Sequence, residues 1–484
     1  NFMGIISKKD LFKLSAFFVC IFSLLLIKIY LNYLLEIPLH YDEAQYWSWS
    51  KQLAWGYFSK PPLLAWSISF ISSICGNGEN CLRTLSPLFH FSSACLIFYS
   101  TFKITKNINK SVFGAAIFFL MPGITFSSFI VSTDVPLIFF STLVGAVIIK
   151  LYKEDKKQKF YIYILLSLSL ALATLSKFAI LYLLFSIIPA IITSVKLRKT
   201  LCRKESIYTI VLYIIFILPN IIWNFNNGFV TYNHTFDNAN VKNYTLSFIE
   251  PLLFILEQFM IFGIVGFFFI LKVLAEYKKI DDIQKILLLL FLFPILLVFT
   301  LAFFSRVNAN WAVVGYPYGC ILLSIINYNI VGNLVKKFIL GGQILLSLIL
   351  LAFIFQSNLT KYSPFIKINH AKDLSSELKK IILERQGVGF MADDREDYAH
   401  FLYYNRSLNI KKAKWNGDDK INDHYELTST VEDLKNLDVV FLTRTQPTQA
   451  MINRAEKFKK LKSINYKLKN KYRVYNIYLF ESWK

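Results

Sequence analysis

The feature that most constrains this chain is a series of eleven apolar stretches, each long enough to cross the ~30 Å hydrocarbon layer of a bilayer as a helix. The composition agrees with this, because 55% of the residues are apolar and only 17% are charged. Soluble globular chains have about 45–50% apolar and about 25% charged residues. The sequence therefore predicts an α-helical polytopic membrane protein with about 11 or more transmembrane helices, at residues 12–35, 82–102, 111–129, 135–152, 160–176, 178–195, 206–223, 248–271, 285–304, 311–331 and 338–357.

Lysine and arginine are distributed unevenly between the connections. The connections at 8–13, 103–110, 150–159, 196–204, 272–285 and 336–337 contain 22 of them. The alternate connections before the C-terminal region contain six, namely Lys51, Lys60, Arg83, Lys177, Lys242 and Arg306. Since positive charge is retained on the cytoplasmic side, the N-terminus is predicted to be cytoplasmic and the C-terminus outside. Much of the formal net charge of +22 is then a topology signal, so no nucleic-acid partner is predicted. Asn1-Phe2 precede Met3, and we interpret them as an expression remnant.

The last quarter of the chain, residues 361–484, has mixed charges and no stretch that could span a membrane. Strand-like segments at 388–391 and 439–442 are each followed by a helix-like segment, and residues 472–480 alternate between polar and apolar. The chain is therefore predicted to consist of a transmembrane domain, 1–360, with a first outer loop at 36–81, and a small soluble α/β domain, 361–484, on the outer side of the membrane.

Two adjacent carboxylates, Asp42 and Glu43, lie in the first outer loop and are followed by the aromatic residues Tyr46, Trp47 and Tyr57. This combination suits a sugar site, because a carboxylate accepts a hydroxyl proton and rings cover the apolar face of a sugar. A solvated loop with aromatic residues at the membrane interface would have the same composition. The loop alone leaves both interpretations open.

Two further charged residues lie at predicted outer ends of apolar stretches. Asp134, in Ser132-Thr133-Asp134-Val135-Pro136, is a candidate acidic site residue, but an aspartate at a helix start is also a common helix cap. Lys177 lies between two apolar stretches, which are predicted to form a tight helical hairpin. It is either a lysine that reaches the membrane surface or a phosphate ligand.

The six cysteines form no metal-ligand pattern. Cys75 and Cys81 flank the Gly-containing segment 76–80 of the first outer loop, where an oxidising compartment would permit a disulfide. Two unpaired thiols are the alternative.

Six motifs follow one another along the chain. The first four are Asp42-Glu43-Ala44 with Tyr46-Trp47, Lys60-Pro61-Pro62-Leu63, Thr133-Asp134-Val135-Pro136 and Leu175-Ser176-Lys177-Phe178. The fifth is a stretch from Pro219 to His234 that contains Pro219-Asn220, Trp223-Asn224 and Gly228-Phe229, and the sixth is Asn310-Trp311-Ala312. In this order they resemble the bacterial glycosyltransferase family related to protein O-mannosyltransferases and the aminoarabinose transferase of lipid A. The resemblance covers residues 36–312. It implies a GT-C fold, an inverting transfer, and a sugar donor carried on a polyprenyl phosphate.

The resemblance also implies roles for individual residues. Asp42 matches the catalytic base, Glu43 would orient it or the acceptor, and Asp134 matches the second acidic motif. Lys60 matches a lysine that contacts the lipid phosphate. Ser59 stands where the aminoarabinose transferase has a metal-binding Glu, so we predict no zinc site of that type despite His234, and no cofactor, although a divalent metal remains compatible with the family.

Cations would stabilise the charge that develops on a departing polyprenyl phosphate. The candidates in the outer connections are Lys60, Lys177, Arg83 and Arg306. Glu257 lies seven residues after Glu250 on the same helical side, where it would line a cavity or face the lipid interface. The predicted substrate cavity consists of Tyr46, Trp47, Tyr57, His234, Glu257, Asn310 and Trp311.

These features together predict an inverting glycosyltransferase that acts on the periplasmic face of the bacterial inner membrane. Its partners would be a polyprenyl-phosphate-linked sugar donor, an acceptor such as lipid A, another envelope glycan or a protein, and membrane lipids. Three alternatives remain: a protein O-glycosyltransferase, a polysaccharide polymerase or ligase, and a polytopic transporter. A transporter would show paired repeats and charged or broken-helix sites near the bilayer midplane.

Overall fold

The structure is a computed structural model that describes residues 8–154, 159–238, 246–326, 332–357, 365–418, 420–468 and 471–484. It divides into two compact units. The helical unit comprises Asn1–Leu34, Lys60–Leu64 and Asn80–Leu351. The mixed unit comprises Leu35–Ser59, Ala65–Glu79 and Ala352–Lys484. Lys156, Lys157 and Lys242, which contribute to the charge count above, lie outside the described residues.

The described elements before residue 358 are helices. They are α1 Lys8–Leu35, α2 Tyr41–Trp49, α3 Leu63–Cys75, α4 Glu79–Arg83, α5 Leu85–Thr105, α6 Ile108–Phe119, α7 Pro122–Ser127, α8 Asp134–Lys153, α9 Phe160–Ser176, α10 Ile180–Thr193, α11 Val195–Leu201, α12 Ser206–Asn226, α13 Val230–Asn238, α14 Ile249–Phe262, α15 Ile264–Ala275, α16 Asp282–Ala302, the 3-10 helix Ala309–Gly315, α17 Tyr316–Ile325 and α18 Gly332–Ser357.

Six helices in the described part of the chain are long and apolar enough to cross a membrane, or seven if one bent pair counts as a single span. They are Asp10–Leu35, Glu79–Thr105, Asp134–Lys153, Ser206–Asn226, Asp282–Ala302 and Gly332–Gln356. The predicted number of eleven spans is not confirmed. The stretch 111–129 is interrupted before Pro122, and the stretch 311–331 begins as a 3-10 helix, so that apolar composition overstates the length of continuous helix there.

The stretch 248–271, predicted as one span, is two helices bent by 110°. Gly263 joins α14 to α15 with φ of +100°, in the left-handed region that favours glycine. The Gln343 side chain donates from Nε2 to the Phe262 carbonyl at 2.7 Å, which satisfies a carbonyl near the break. A Cβ atom at position 263 would lie 2.4 Å from Gln343 Oε1. The bend therefore depends on glycine at this position.

The carboxyl-terminal part of the mixed unit contains a five-stranded sheet. Its elements are α19 Ala371–Leu383, β1 Gly389–Ala392, α20 Arg395–Tyr404, β2 Lys412–Lys414, α21 His424–Thr428, the 3-10 helix Val431–Leu434, β3 Val439–Thr443, α22 Gln449–Ile452, β4 Lys457–Leu468 and β5 Lys471–Glu481. The strand order is β2-β1-β3-β5-β4. β1 is parallel to β2 and β3, and β5 is antiparallel to β3 and β4. The predicted small C-terminal α/β domain is thus present as a sheet with helices.

The predicted outer loop 36–81 is divided between the two units. Residues 35–59 and 65–79 belong to the mixed unit with 352–484, whereas residues 60–64 and 80–81 belong to the helical unit. The predicted domain boundary at 360/361 assigns the whole loop to the transmembrane domain and stays a prediction. What matters for the site is that α2, which carries Asp42, packs within the same unit as α20.

Candidate functional site

Three of the motif residues meet in the helical unit. Lys177 Nζ lies 2.7 Å from Asp134 Oδ1, and Asn310 Nδ2 donates to Asp134 Oδ2 at 2.6 Å. Asp134 is the first residue of α8, Lys177 follows the last residue of α9, and Asn310 lies in the 3-10 helix before α17. The contacts join segments that are 43 and 176 residues apart in the chain.

The contacts of Asp134 and Lys177 bear on whether Asp134 is a helix cap or a site residue, and on whether Lys177 reaches the membrane surface or serves as a phosphate ligand. The N-cap of α8 is Thr133, and each carboxylate oxygen of Asp134 accepts a side-chain hydrogen bond from another segment. The Asp134 and Lys177 side chains are 10% and 13% exposed. A nearly buried ion pair is costly to form unless further hydrogen bonds satisfy it, and Asn310 supplies one. The cluster therefore holds a fixed carboxylate beside a fixed ammonium.

Asn310 is itself held in place by a residue that sequence analysis missed. Gln258 Nε2 donates to the Ala309 carbonyl at 3.1 Å, and the Tyr316 hydroxyl donates to Gln258 Oε1. Gln258 is fully buried, whereas its neighbour Glu257 is exposed. The sequence feature that could have identified Gln258 is its side-chain amide within the otherwise mostly apolar helix α14.

The other predicted residues of the helical unit occupy different environments. Arg83 is fully buried at the end of α4, Lys60 is half-buried, and Arg306 is exposed after α16. His234 on α13 and Trp311 are half-buried. Their predicted roles in binding phosphate or substrate stay predictions.

Asp42 and Glu43 lie in the first turn of α2 in the mixed unit and have different environments. Glu43 is 2% exposed and its Oε2 accepts the His40 backbone N–H at 2.8 Å, which closes a capping box around the start of α2. The Asp42 side chain is 41% exposed. Its Oδ1 lies 3.0 Å from Arg395 Nη1, and its Oδ2 lies 3.6 Å from His40 Nδ1. Glu43 thus stabilises the helix that presents Asp42.

We expect Glu43→Gln to retain most of the activity, because glutamine at this helix position also closes a capping box. Glu43→Ala should lower the free energy of unfolding by about 1 kcal/mol through the lost hydrogen bond. Thermal unfolding and a sugar-transfer assay on both variants would test this. A Glu43→Gln variant that folds normally but cannot transfer sugar would show that the negative charge itself takes part in the chemistry.

Arg395, the first residue of α20, is the second residue that sequence analysis missed. The turn that carries it is fixed by Arg444, which follows β3 and contacts Asp394, Glu396 and Asp397 at 3.0, 3.0 and 2.7 Å. The Asp394 side chain also caps α20. The run Asp393-Asp394-Arg395-Glu396-Asp397 directly after a strand was visible in the sequence, but nothing local connects it to Asp42.

Tyr41 completes the surroundings of Asp42. Arg395 Cζ lies 5.1 Å from the centre of the Tyr41 ring. Burial, with the negative charges of Asp42 and Glu396, raises the pKa of Tyr41 to about 12. The phenol therefore stays neutral beside the carboxylate at physiological pH.

The aromatic residues predicted to line the cavity are buried in the mixed unit. Trp47 Nε1 donates to Asn77 Oδ1 at 2.8 Å, and the Tyr57 hydroxyl lies 3.0 Å from the Trp49 carbonyl. The Tyr57 and Trp49 rings stack with centroids 4.6 Å apart, and Tyr46 is 7% exposed. These contacts hold the loop segment together, and a substrate contact for these rings stays a prediction.

Cys75 and Cys81 are disulfide-bonded, and Cys20, Cys95, Cys202 and Cys320 are free. Among the described residues, no group of three or more His, Cys, Asp and Glu side chains could hold a metal ion.

The fold and these clusters define a polytopic membrane protein with its polar site residues at helix ends. The solved structure of ArnT from Cupriavidus metallidurans in the apo state matches 96% of this chain and 98% of its own, with a TM-score of 0.65 and 11% sequence identity. The structure of the same protein bound to undecaprenyl phosphate matches with a TM-score of 0.63 at 11% identity, over the same shares of both chains. The chain therefore has the GT-C fold of ArnT.

Sequence comparison agrees with the fold. The family model for dolichyl-phosphate-mannose-protein mannosyltransferases matches residues 59–223. The lipid A galacturonosyltransferase RgtD of Rhizobium johnstonii is 31% identical over 288 residues, which are 58% of this chain and 59% of that protein. The chain thus spans less than two thirds of this relative's length. The predicted resemblance to the GT-C glycosyltransferases related to protein O-mannosyltransferases is confirmed.

Proposed function

We propose that the protein is an inverting glycosyltransferase that moves a sugar from a polyprenyl phosphate to lipid A. The observation that carries this proposal is the meeting of Asp134, Lys177 and Asn310, three residues of the family-like motifs, in one partly buried cluster. The likeness to RgtD supports lipid A as the acceptor, and the likeness to ArnT bound to undecaprenyl phosphate supports the donor.

The chemistry would proceed by a single displacement. An acceptor hydroxyl attacks the anomeric carbon of the sugar while Asp42 takes the hydroxyl proton. The bond from the anomeric carbon to the phosphate oxygen breaks, and polyprenyl phosphate leaves with the bonding electron pair. Lys60, Lys177, Arg83 and Arg306 are the candidates for stabilising that phosphate.

The sugar and the acceptor define the alternatives within this class. RgtD is named for galacturonosyl transfer, so a galacturonosyl donor is the first to test. The family model is named for transfer to protein, which makes a protein hydroxyl the second acceptor.

The test uses purified full-length protein with polyprenyl-phosphate-linked galacturonic acid, and lipid A or a Ser/Thr peptide as acceptor. Transfer to lipid A with stoichiometric release of polyprenyl phosphate supports the proposal. Transfer only to the peptide selects the protein O-glycosyltransferase. Uptake of labelled sugar into proteoliposomes without transfer supports the transporter instead, a possibility that the broken helix pair α14 and α15 makes worth testing.

We place the active side of the enzyme in the periplasm, on the strength of the 22-to-6 charge asymmetry. In a background without free cysteines, an impermeant thiol reagent added to spheroplasts should label cysteine at position 411. It should not label cysteine at position 278. Both positions are exposed, so access is limited only by the membrane. The opposite labelling pattern would exclude a periplasmic donor site.

A further inference from the structure

The Asp42 side chain, in the first turn of α2, is 41% exposed, yet one of its carboxylate oxygens is held by a residue from a distant part of the chain. Arg395 Nη1 lies 3.0 Å from Asp42 Oδ1, across 353 residues of sequence. The same nitrogen donates to Gln45 Oε1, one turn along α2. Gln45 is 2% exposed, so the amide that receives Arg395 is itself fixed.

The backbone turn that carries Arg395 is also fixed by hydrogen bonds and ion pairs. Asp394 caps α20 through the backbone N–H groups of Glu396 and Asp397, and Arg444 binds all three of these carboxylates. The Arg395 side chain therefore extends from a fixed helix turn, and its guanidinium donates to two acceptors on α2, Asp42 Oδ1 and Gln45 Oε1. A planar guanidinium with fixed donors restrains a carboxylate more strongly than an ammonium, which binds as a point charge.

The two carboxylate oxygens consequently differ. Oδ1 is engaged by Arg395, and the nearest charged side-chain group to Oδ2 within the described ranges is His40 Nδ1 at 3.6 Å, while the Asp42 side chain stays 41% exposed. A base must keep one oxygen available for the acceptor proton and hold it in a constant direction. The observed arrangement meets both conditions.

We propose that Arg395 is a positioning residue for the base Asp42. A residue of the C-terminal domain would then hold the carboxylate of the base in its working orientation. This inference rests on the proposed function. Arg395 acts through Asp42: it takes no proton and needs no substrate contact. Without it, the Asp42 side chain is free to rotate, and misplacement of a reacting group by about 1 Å can cost ~10²-fold in rate.

The test compares Arg395→Gln, Arg395→Lys and the control Arg406→Gln in full-length protein. Arg406 is an exposed arginine just after α20 that donates to the Tyr403 carbonyl. We expect Arg395→Gln to lower kcat by roughly 10–100-fold with donor Kd unchanged. The thermal unfolding temperature should fall only modestly, because Gln45 Oε1 loses a donor. Arg395→Lys should recover part of the loss, and Arg406→Gln should match wild type.

A double variant separates positioning from direct substrate binding. If Arg395 acts through Asp42, adding Arg395→Gln to Asp42→Asn should cause no further loss, because the two effects are not additive. An equal further loss in the double variant, a weaker donor Kd for Arg395→Gln, or full activity of Arg395→Gln would each overturn the inference. Wild-type protein that transfers no sugar would instead overturn the proposed function.

Discussion

Replacing Asp42 by asparagine should reduce sugar transfer by about 10²–10⁴-fold, the usual loss when a general base is removed. Asparagine has almost the same shape, and its amide oxygen can still accept the hydrogen bond from Arg395, but it cannot take a proton at neutral pH. Donor binding and thermal stability should therefore stay close to wild type. Release of polyprenyl phosphate from a labelled donor, followed over an extended time course, would determine the residual rate.

The matched control for Asp42→Asn is Glu43→Gln, the same chemical change at the adjacent position. Because Glu43 is the capping-box residue of α2, its amide variant should remain active. Wild-type turnover in Asp42→Asn would remove Asp42 from the mechanism. It would also leave Arg395 without a catalytic partner to position.

The second large effect is expected at the Asp134–Lys177 pair. Lys177→Ala should weaken donor binding and slow transfer if its ammonium contacts the lipid phosphate, because negative charge grows on the departing phosphate. It should also destabilise the protein, since removing one partner of a buried ion pair costs about 3–5 kcal/mol. Donor-lipid affinity and thermal unfolding would be measured on the same preparations.

The double variant Asp134→Asn with Lys177→Met separates the two effects. Removing both charges should restore much of the stability, because no unpaired charge remains. Donor affinity should stay low if the ammonium serves the phosphate. The control is Lys103→Met, which removes a lysine that pairs with Glu154 elsewhere in the helical unit. Donor affinity unaffected by loss of Lys177 would make this lysine a structural partner of Asp134 alone.

Long apolar stretches allowed the sequence to predict a membrane protein, and the ordered motifs predicted the resemblance to the GT-C glycosyltransferases. The roles of the charged motif residues stay predictions. The motifs did not predict which side chains touch. Lys177 was expected to reach a lipid phosphate, and its contact with Asp134 depends on how α8 and α9 are arranged in three dimensions. Arg395 was missed because its contact with Asp42 joins segments 353 residues apart.

The break within the apolar stretch 248–271 could not be predicted for a related reason. Hydropathy measures how apolar a stretch is, and it averages over single residues that change the direction of the backbone. Gly263, with φ of +100°, turns the chain within an apolar stretch, and Gln343 supplies the missing hydrogen bond from a helix about 80 residues later. Gly263 and Gln343 are each a single residue within a long, mostly apolar stretch, so a hydropathy average does not reveal them.

The interleaved make-up of the mixed unit has a consequence for engineering chimeric enzymes. Residues 35–59, 65–79 and 352–484 form one compact body, although the first two are inserted between helices of the other unit. A graft that exchanges only the C-terminal segment would separate Asp42 from Arg395 and Trp47 from its neighbour Tyr403. A functional exchange between related enzymes therefore requires all three segments to be transplanted together, as one discontinuous module.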